Sequence, residues 1–178
     1  MDQIEYRPLT LKEVNISLFN HFDRKQIVSR CWRKIDGKWV IKDIGFIDDW
    51  SHEEYVEGAD YLKNLILRGG CAVGAFAEGH LKGFMSVEPA LFGSCGQYMD
   101  MSNIHVSQDM RNQGIGKELF VRAKEWAKAH GAKKLYISAH SAVESQAFYK
   151  AMGCVEAEEY NQELVDREPC DCQLECIL

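Results

Sequence analysis

Between residues 97 and 154 the hydrophobic period of the chain changes three times, and this alternation limits the folds open to it. "QYMDMSNIHVS" reads as one long strand. Beyond a glycine-bearing stretch, Ile115, Leu119, Ala123, Trp126 and Ala127 share one helical face, and Gly131 closes that helix. "KKLYISA" alternates Leu135, Ile137 and Ala139 as a strand. "SAVESQAFYKAMGC" is a helix: Ser141 and Glu144 form a capping box, Phe148, Ala151 and Met152 point inward, and Gly153 caps it. Two strands joined through a helix lie parallel, because a parallel neighbour needs a crossover of about a dozen residues or more. The result is a partly parallel sheet with helices on its faces.

The rest of the chain extends this sheet. "IEYRPL" predicts a short strand. Thr10 with Glu13, followed by Leu11, Val14, Leu18 and Phe22 at helical spacing, predicts a first helix. "IVSRCWRKIDGKWVIK" reads as a hairpin or loop around Asp36-Gly37. Ser51 with Glu54 opens a second helix, which Gly69 ends. "CAVGAFAEGHLKGFMSVE" gives two strands turning near Glu78-Gly79, and "CVEAEEY" and "CQLECIL" give two final strands. The expected fold is mixed α/β (α+β), a twisted mixed sheet flanked by helices. With 178 residues, three prolines and no repeat or linker, the chain is expected to be one domain over 1–178.

Composition narrows the function. The net charge of −6 argues against a nucleic-acid backbone as partner. No apolar run reaches the length of a membrane span, and "MDQIEYRPLT" lacks the features of a signal peptide, so a cytoplasmic protein is expected. Seven cysteines without a secretion signal do not suggest a disulfide framework. Cys170, Cys172 and Cys176 are spaced by even numbers. On a strand they share one face, which suits burial of small apolar thiols better than a tetrahedral metal site. No metal is expected.

Gly114 and Gly116 stand where the helix after the long strand begins, although glycine costs about 1 kcal/mol relative to alanine inside a helix. A helix N-terminus offers unpaired N–H groups and partial positive charge, and glycine lets a ligand approach that backbone. Strand, glycine loop, helix is therefore a cradle for phosphate or pyrophosphate. A P-loop is excluded, because Glu118 follows Gly116-Lys117 and no glycine stands five residues before Gly116. A dinucleotide fingerprint is excluded by Leu119 at its third glycine position. The pattern [Q/R]-x-x-G-x-[G/A] fits Arg111-Asn112-Gln113-Gly114-Ile115-Gly116 at every fixed position.

With the strand "SNIHVSQDM" before it and "SQAFYKAMGC" some thirty residues after it, this stretch resembles the GCN5-related N-acetyltransferases, the GNAT superfamily. The resemblance is sharp over 97–154 and fair back to residue 71; before that it is topological. It implies acetyl-CoA as cosubstrate, transfer to an amine, and a fold whose central parallel strands splay to admit the pantetheine arm. It divides the domain into an acceptor-side part to about residue 70, a coenzyme-binding core over about 71–154 and closing strands over about 155–178. It makes Gln113, Gly114, Ile115, Gly116 and Lys117 the pyrophosphate cradle, with Arg111 and Asn112 in the same motif. It makes Ile104, His105 and Val106 the strand that pairs with pantetheine, and Tyr149 the candidate acid near sulfur. Family members often carry an asparagine where this chain has Ala142; Ser141 or Ser145 are the candidate substitutes.

Transfer to an amine needs a route for a proton. Asp100 lies eleven residues before Arg111, the place of a glutamate in the histone-acetylating branch of the family. Glu88 is its rival, and His105 falls on the opposite side of the strand from Asp100. Each carboxylate also reads as a plain strand charge. Residues 24–50 are the least regular part. There Trp32, Trp39, Phe46 and Trp50, with Asp43, Asp48 and Asp49, suit a cationic amine through cation–π and charge contacts, or form a satellite core. The expected acceptor is a small-molecule amine, such as a polyamine, an aminoglycoside-like molecule or an amino acid. A protein lysine or N-terminus, a non-catalytic acyl-CoA sensor and a homodimeric assembly stay open.

Overall fold

The computed structural model describes residues 3–178. β1 (Glu5–Pro8) leads through a single 3-10 turn (Ile16–Phe19) to a hairpin of β2 (Gln26–Ile35) and β3 (Lys38–Asp48), then to α1 (His52–Leu67). β4 (Cys71–Ala77), β5 (His80–Val87), the two-residue β6 (Leu91–Phe92), β7 (Tyr98–Asp100) and β8 (Asn103–Val106) follow. α2 (Ile115–Ala129), β9 (Lys134–Ala139) and α3 (Val143–Ala151) form the crossover half. β10 (Val155–Glu156), α4 (Gln162–Arg167) and β11 (Cys172–Ile177) complete the chain.

One sheet has the order β1-β4-β5-β8, another β10-β11-β9-β7-β6, and β2-β3 stand apart. The long strand expected over "QYMDMSNIHVS" is broken between Asp100 and Asn103. β7 runs parallel to β9, and Met101 N–H continues that pairing to Tyr136 O at 2.9 Å. β8 instead runs antiparallel to β5. Ser86 holds the chain at this change of partner: its hydroxyl bonds Ser102 Oγ at 2.9 Å and accepts from Asn103 Nδ2 at 2.9 Å. The chain leaves one sheet for the other, so β8 and β9 diverge. The expected fold, a mixed sheet with splayed parallel strands, is the one observed.

α2 and α3 cover one face through Leu119, Phe120, Ala123 and Tyr149, while α1 and the 3-10 turn cover β4 and β5 through Leu62, Leu65, Phe19 and Phe22. α2 starts close to β5 only because residue 83 is glycine. A Cβ there would meet Ile115 Cγ2 at 2.8 Å and Leu119 Cδ1 at 3.1 Å. Among the described residues no helix is long and apolar enough to cross a membrane.

Several expectations are corrected. The helix over 10–22 is replaced by turns and the 3-10 segment. Glu13 accepts from Thr10 N–H at 2.7 Å, but Asn15 Oδ1 then takes Ser17 N–H at 2.9 Å and diverts the backbone. Residues 24–50 are regular, not irregular: they form the hairpin, turning through Asp36 and Gly37 at φ 48° and 76°. The capping box of α3 does not form, since Ser141 Oγ accepts from Arg33 Nη1 at 2.7 Å and Ala142 is the cap. α4 was not foreseen. Cys172 and Cys176 are buried on β11, whereas Cys170 is exposed before it. Among the described residues no His, Cys, Asp and Glu group is arranged to hold a metal.

Candidate active site

A cleft of about 920 Å³ opens where β8 and β9 part. One wall is β8, the free edge of its sheet. Ser107 N–H bonds Lys82 O at 2.8 Å, which sets the phase of the antiparallel ladder. Asn103 and His105 then bond toward β5, while the main-chain groups of Ile104 and Val106 turn toward the cleft. Arg111 Nε caps Val106 O at 3.2 Å. The Ile104 amide and the Val106 N–H stay free to pair with an extended ligand.

At one end of this edge lies the stretch from Arg111 to Lys117. Gly114 is left-handed at φ 83°, and Asn112 at φ 63° precedes it. α2 begins at Ile115, and its first intrahelical donor is Glu118 N–H, to Gly114 O at 3.1 Å. The N–H groups of Ile115, Gly116 and Lys117 therefore have no helical acceptor, and no side chain caps them. A Cβ on Gly116 would stand 3.4 Å from Phe148 and 3.7 Å from Val106, two residues that line the cleft with it. Asn112, Gly114, Ile115, Gly116 and Lys117 line the cleft. Gln113 does not line it; its Nε2 rests 3.7 Å from Met110 Sδ.

Tyr149 reaches the deep part of the cleft from α3. Burial first, and Cys154 and Asp171 second, push its phenol well above the ordinary range. Its hydroxyl has no hydrogen-bond partner among the described residues. Ser145 lines the cleft, 3.5 Å from Gln26 Nε2. Ser141 does not: β2 docks there, with Trp32 N–H on Ser141 O at 2.8 Å and Cys31 bridged to Ala142. Ala142 is wholly buried under that hairpin.

The face opposite α2 and α3 is polar. His105 lies edge-on to Trp50 at 5.1 Å and close to Phe84 at 5.2 Å. Burial, then Arg24 and Arg111, hold this imidazole well below its usual range. Phe46, Asp48 and Trp50 from the hairpin and its exit line the cleft; Trp32 and Trp39 do not. Those two pack on the main core, and Trp39 Nε1 donates to Glu156 at 3.1 Å. Asp48 Oδ2 takes Arg24 Nη2 at 2.9 Å and lies 3.8 Å from His140 Nε2. A second cavity of about 330 Å³ shares Trp50, Glu54, Ser102 and Asn103 with the cleft and extends to Glu57 and Tyr61 on α1.

The two carboxylates singled out from sequence line neither cavity. Glu88 is bonded to Arg68 at 2.7 Å and to Tyr61 Oη at 2.5 Å, and these partners hold it below the usual carboxylate range against burial. Asp100 sits beneath the polar face, pushed up to about 7 by burial and by Glu88. Sequence reading missed Arg24, Ser138, His140 and Asp171, all of which line the cleft. The alternation of β9 could have exposed Ser138 and His140, which fall opposite its core residues.

The chain matches the family model described as "Acetyltransferase (GNAT) family" over residues 27–154. Similar solved structures include a Bacillus anthracis str. Ames protein assigned as a streptothricin acetyltransferase, in complex with acetyl coenzyme A. It is 17% identical, with a TM-score of 0.71, covering 99% of this chain and 100% of that one. A nourseothricin acetyltransferase aligns at 15% identity and TM-score 0.68 over 97% and 95% of the two chains. The PaiA N-acetyltransferase of Thermoplasma acidophilum, in complex with coenzyme A, aligns at 18% and 0.61 over 99% of each. At such identities the likeness speaks for the fold, and the family match speaks for the lineage: this chain belongs to the GNAT acetyltransferases.

Proposed function

We propose that this protein moves an acetyl group from acetyl-CoA to a primary amine of a small cationic molecule, by direct attack while both are bound. The observation that carries this reading is one continuous surface, in which the free edge of β8 ends at the unpaired N–H groups of Ile115, Gly116 and Lys117. The residues fit acetyl-CoA. An extended amide-bearing arm would pair with Ile104 and Val106 as an added strand, and a pyrophosphate would meet the cradle. Bound there, the coenzyme supplies an acyl carbon activated as a thioester. Residues 71–154 would hold it, residues up to about 70 would supply the acceptor side, and 155–178 would close the site.

Tyr149, held protonated, donates a hydrogen bond to sulfur as charge develops; full proton transfer from so weak an acid is uphill. Tyr149→Phe is expected to lower kcat about tenfold with little change in the KM for acetyl-CoA, read by steady-state kinetics. Glu54 and Asp171 in a lining that also holds Phe46 and Trp50 favour a cationic, partly apolar acceptor, with Asp48 already paired to Arg24. Two neighbours are named for nourseothricin and streptothricin, which supports a small amine over a protein lysine.

The test is thiol release from acetyl-CoA with a panel of a polyamine, streptothricin, an aminoglycoside, amino acids and a lysine peptide. Turnover is expected with one of the small amines and not with the peptide. Heat protection by acetyl-CoA without thiol release from any amine would replace the enzyme by a coenzyme sensor.

A further inference from the structure

We infer that Asp171 takes the proton from the acceptor amine. This rests on the amine-acetylating reading of the cleft and names the base within that site. Asp171 stands in the loop between α4 and β11 and lines the cleft with Tyr149 and His140. Its Oδ2 accepts from Ser138 Oγ, on the polar face of β9, at 3.0 Å. Its Oδ1 has no partner among the described residues, and no cation is bonded to either oxygen.

The other basic groups are committed or badly poised. Asp48 is paired with Arg24, and Glu54 Oε2 takes Ser51 N–H at 2.7 Å. His140 Nδ1 lies 3.1 Å from Ala142 N–H and accepts from it, an assignment that puts the neutral ring's proton on Nε2. The acceptor-side nitrogen of His140 is thus a donor. His105 is held neutral so far below its usual range that it is a weak base. Glu144 and Glu168 are exposed at the rim. Asp171 is shifted the other way, up to about 6, by burial and then Glu168, against the Ser138 hydrogen bond. Its charge also acts on Tyr149 from α3 and Cys172 from β11, neither of them cationic, and His140 shares the cleft lining with it.

The step balances without a further reagent. The acceptor enters as R–NH3+, and one N–H bond breaks with its proton going to Asp171 Oδ1. The freed lone pair forms the C–N bond, the C–S bond breaks, and its electron pair leaves on sulfur beside Tyr149. A second amine proton ends on sulfur through water, Asp171 returns its proton to solvent, and one proton is released per turnover.

The experiment compares wild type, Asp171→Asn and Asp100→Asn with an alkylamine that wild type acetylates, from pH 5 to 9. Wild-type kcat is expected to fall on the acid side with a midpoint near about 6, the pH at which Asp171 takes up its own proton. Asp171→Asn is expected to lower kcat about 30-fold at pH 7.5 and erase that limb, while keeping heat protection by acetyl-CoA. Asp100→Asn keeps the limb. An arylamine, already neutral at pH 7, is expected to shrink the Asp171→Asn deficit to about threefold. An Asp171→Asn enzyme within about twofold of wild type with its limb intact, or a limb lost in Asp100→Asn instead, overturns the assignment. A wild type that is protected by acetyl-CoA yet releases thiol with no amine overturns the underlying reading. That result is distinct from an active enzyme indifferent to Asp171.

Discussion

Gly114→Val is expected to weaken acetyl-CoA binding about a hundredfold or more while leaving a folded protein. The cause is backbone angle, not crowding. A Cβ at Gly114 meets nothing within 4 Å, but the residue sits at φ 83°. A left-handed L-residue costs about 1–2 kcal/mol, and a β-branched one is a true outlier there. The cheapest relief is rotation of the peptides around residue 114, which turns the Ile115 and Gly116 N–H groups away from a common point. At a coenzyme concentration of about 100 times the wild-type Kd, protection is about 2.7 kcal/mol, and a hundredfold weaker Kd leaves about 0.4. For a chain of this size that is a melting shift falling from about 5–11 °C to about 1–2 °C, measured by thermal denaturation. The substituent series tests the cause. Asparagine tolerates the left-handed region, as Asn112 already does at φ 63°, so Gly114→Asn is expected to lose least, alanine more and valine most. A loss that instead follows side-chain volume, with Asn as damaging as Val, would point to steric blockage of the ligand.

What was legible in the sequence is what short segments decide. The Ser51–Glu54 capping box and the Asp36-Gly37 turn each depend on residues within a few positions of one another, and each is in place; the left-handed Gly114 that opens α2 is equally local. The failures are long-range. Nothing local in "YMDMSNIHV" says that its first half pairs with Tyr136 and its second with β5, because one partner strand lies more than thirty residues away and the contact to Ser86 spans 17 residues. Glu88 resembled a strand-end base until Arg68 and Tyr61, twenty or more residues distant, were seen to hold its carboxylate. Asp171 lies among Cys170, Cys172 and Cys176, and nothing within a few positions of it marks a site. Its relevance comes from Ser138, 33 residues earlier. The reverse holds at Thr10–Glu13. A sound local signal was outvoted by Asn15, and Arg7 bonds the same Glu13 carboxylate at 2.9 Å.

Asp100→Asn is expected to stabilise the protein, and more so at alkaline pH. Asp100 has no side-chain hydrogen bond among the described residues, and burial and Glu88 raise it from 3.8 to about 7. The sign follows from proton binding. Below about pH 4 the residue is protonated in both folded and unfolded chains and contributes nothing. Between about 4 and 7 the unfolded chain releases this proton and the folded one retains it, so stability declines as pH rises, then levels off. A rise from 3.8 to about 7 corresponds to about 4 kcal/mol, and solvent screening at the partly exposed Asp100 trims this to about 2–4 kcal/mol. Asparagine keeps the shape and removes the charge, so the variant is expected to melt about 5–15 °C above wild type at pH 8. The gap should narrow steadily toward pH 5. A gain that is flat in pH would assign the effect to packing, and a loss at pH 8 would mean that Arg167 outweighs burial and Glu88. A stabilised Asp100→Asn that also keeps its acid limb would separate the carboxylate that the sequence singles out from the one that lines the cleft. Asp100 would then be a charge the fold tolerates beneath the site, and Asp171 the carboxylate that meets the amine.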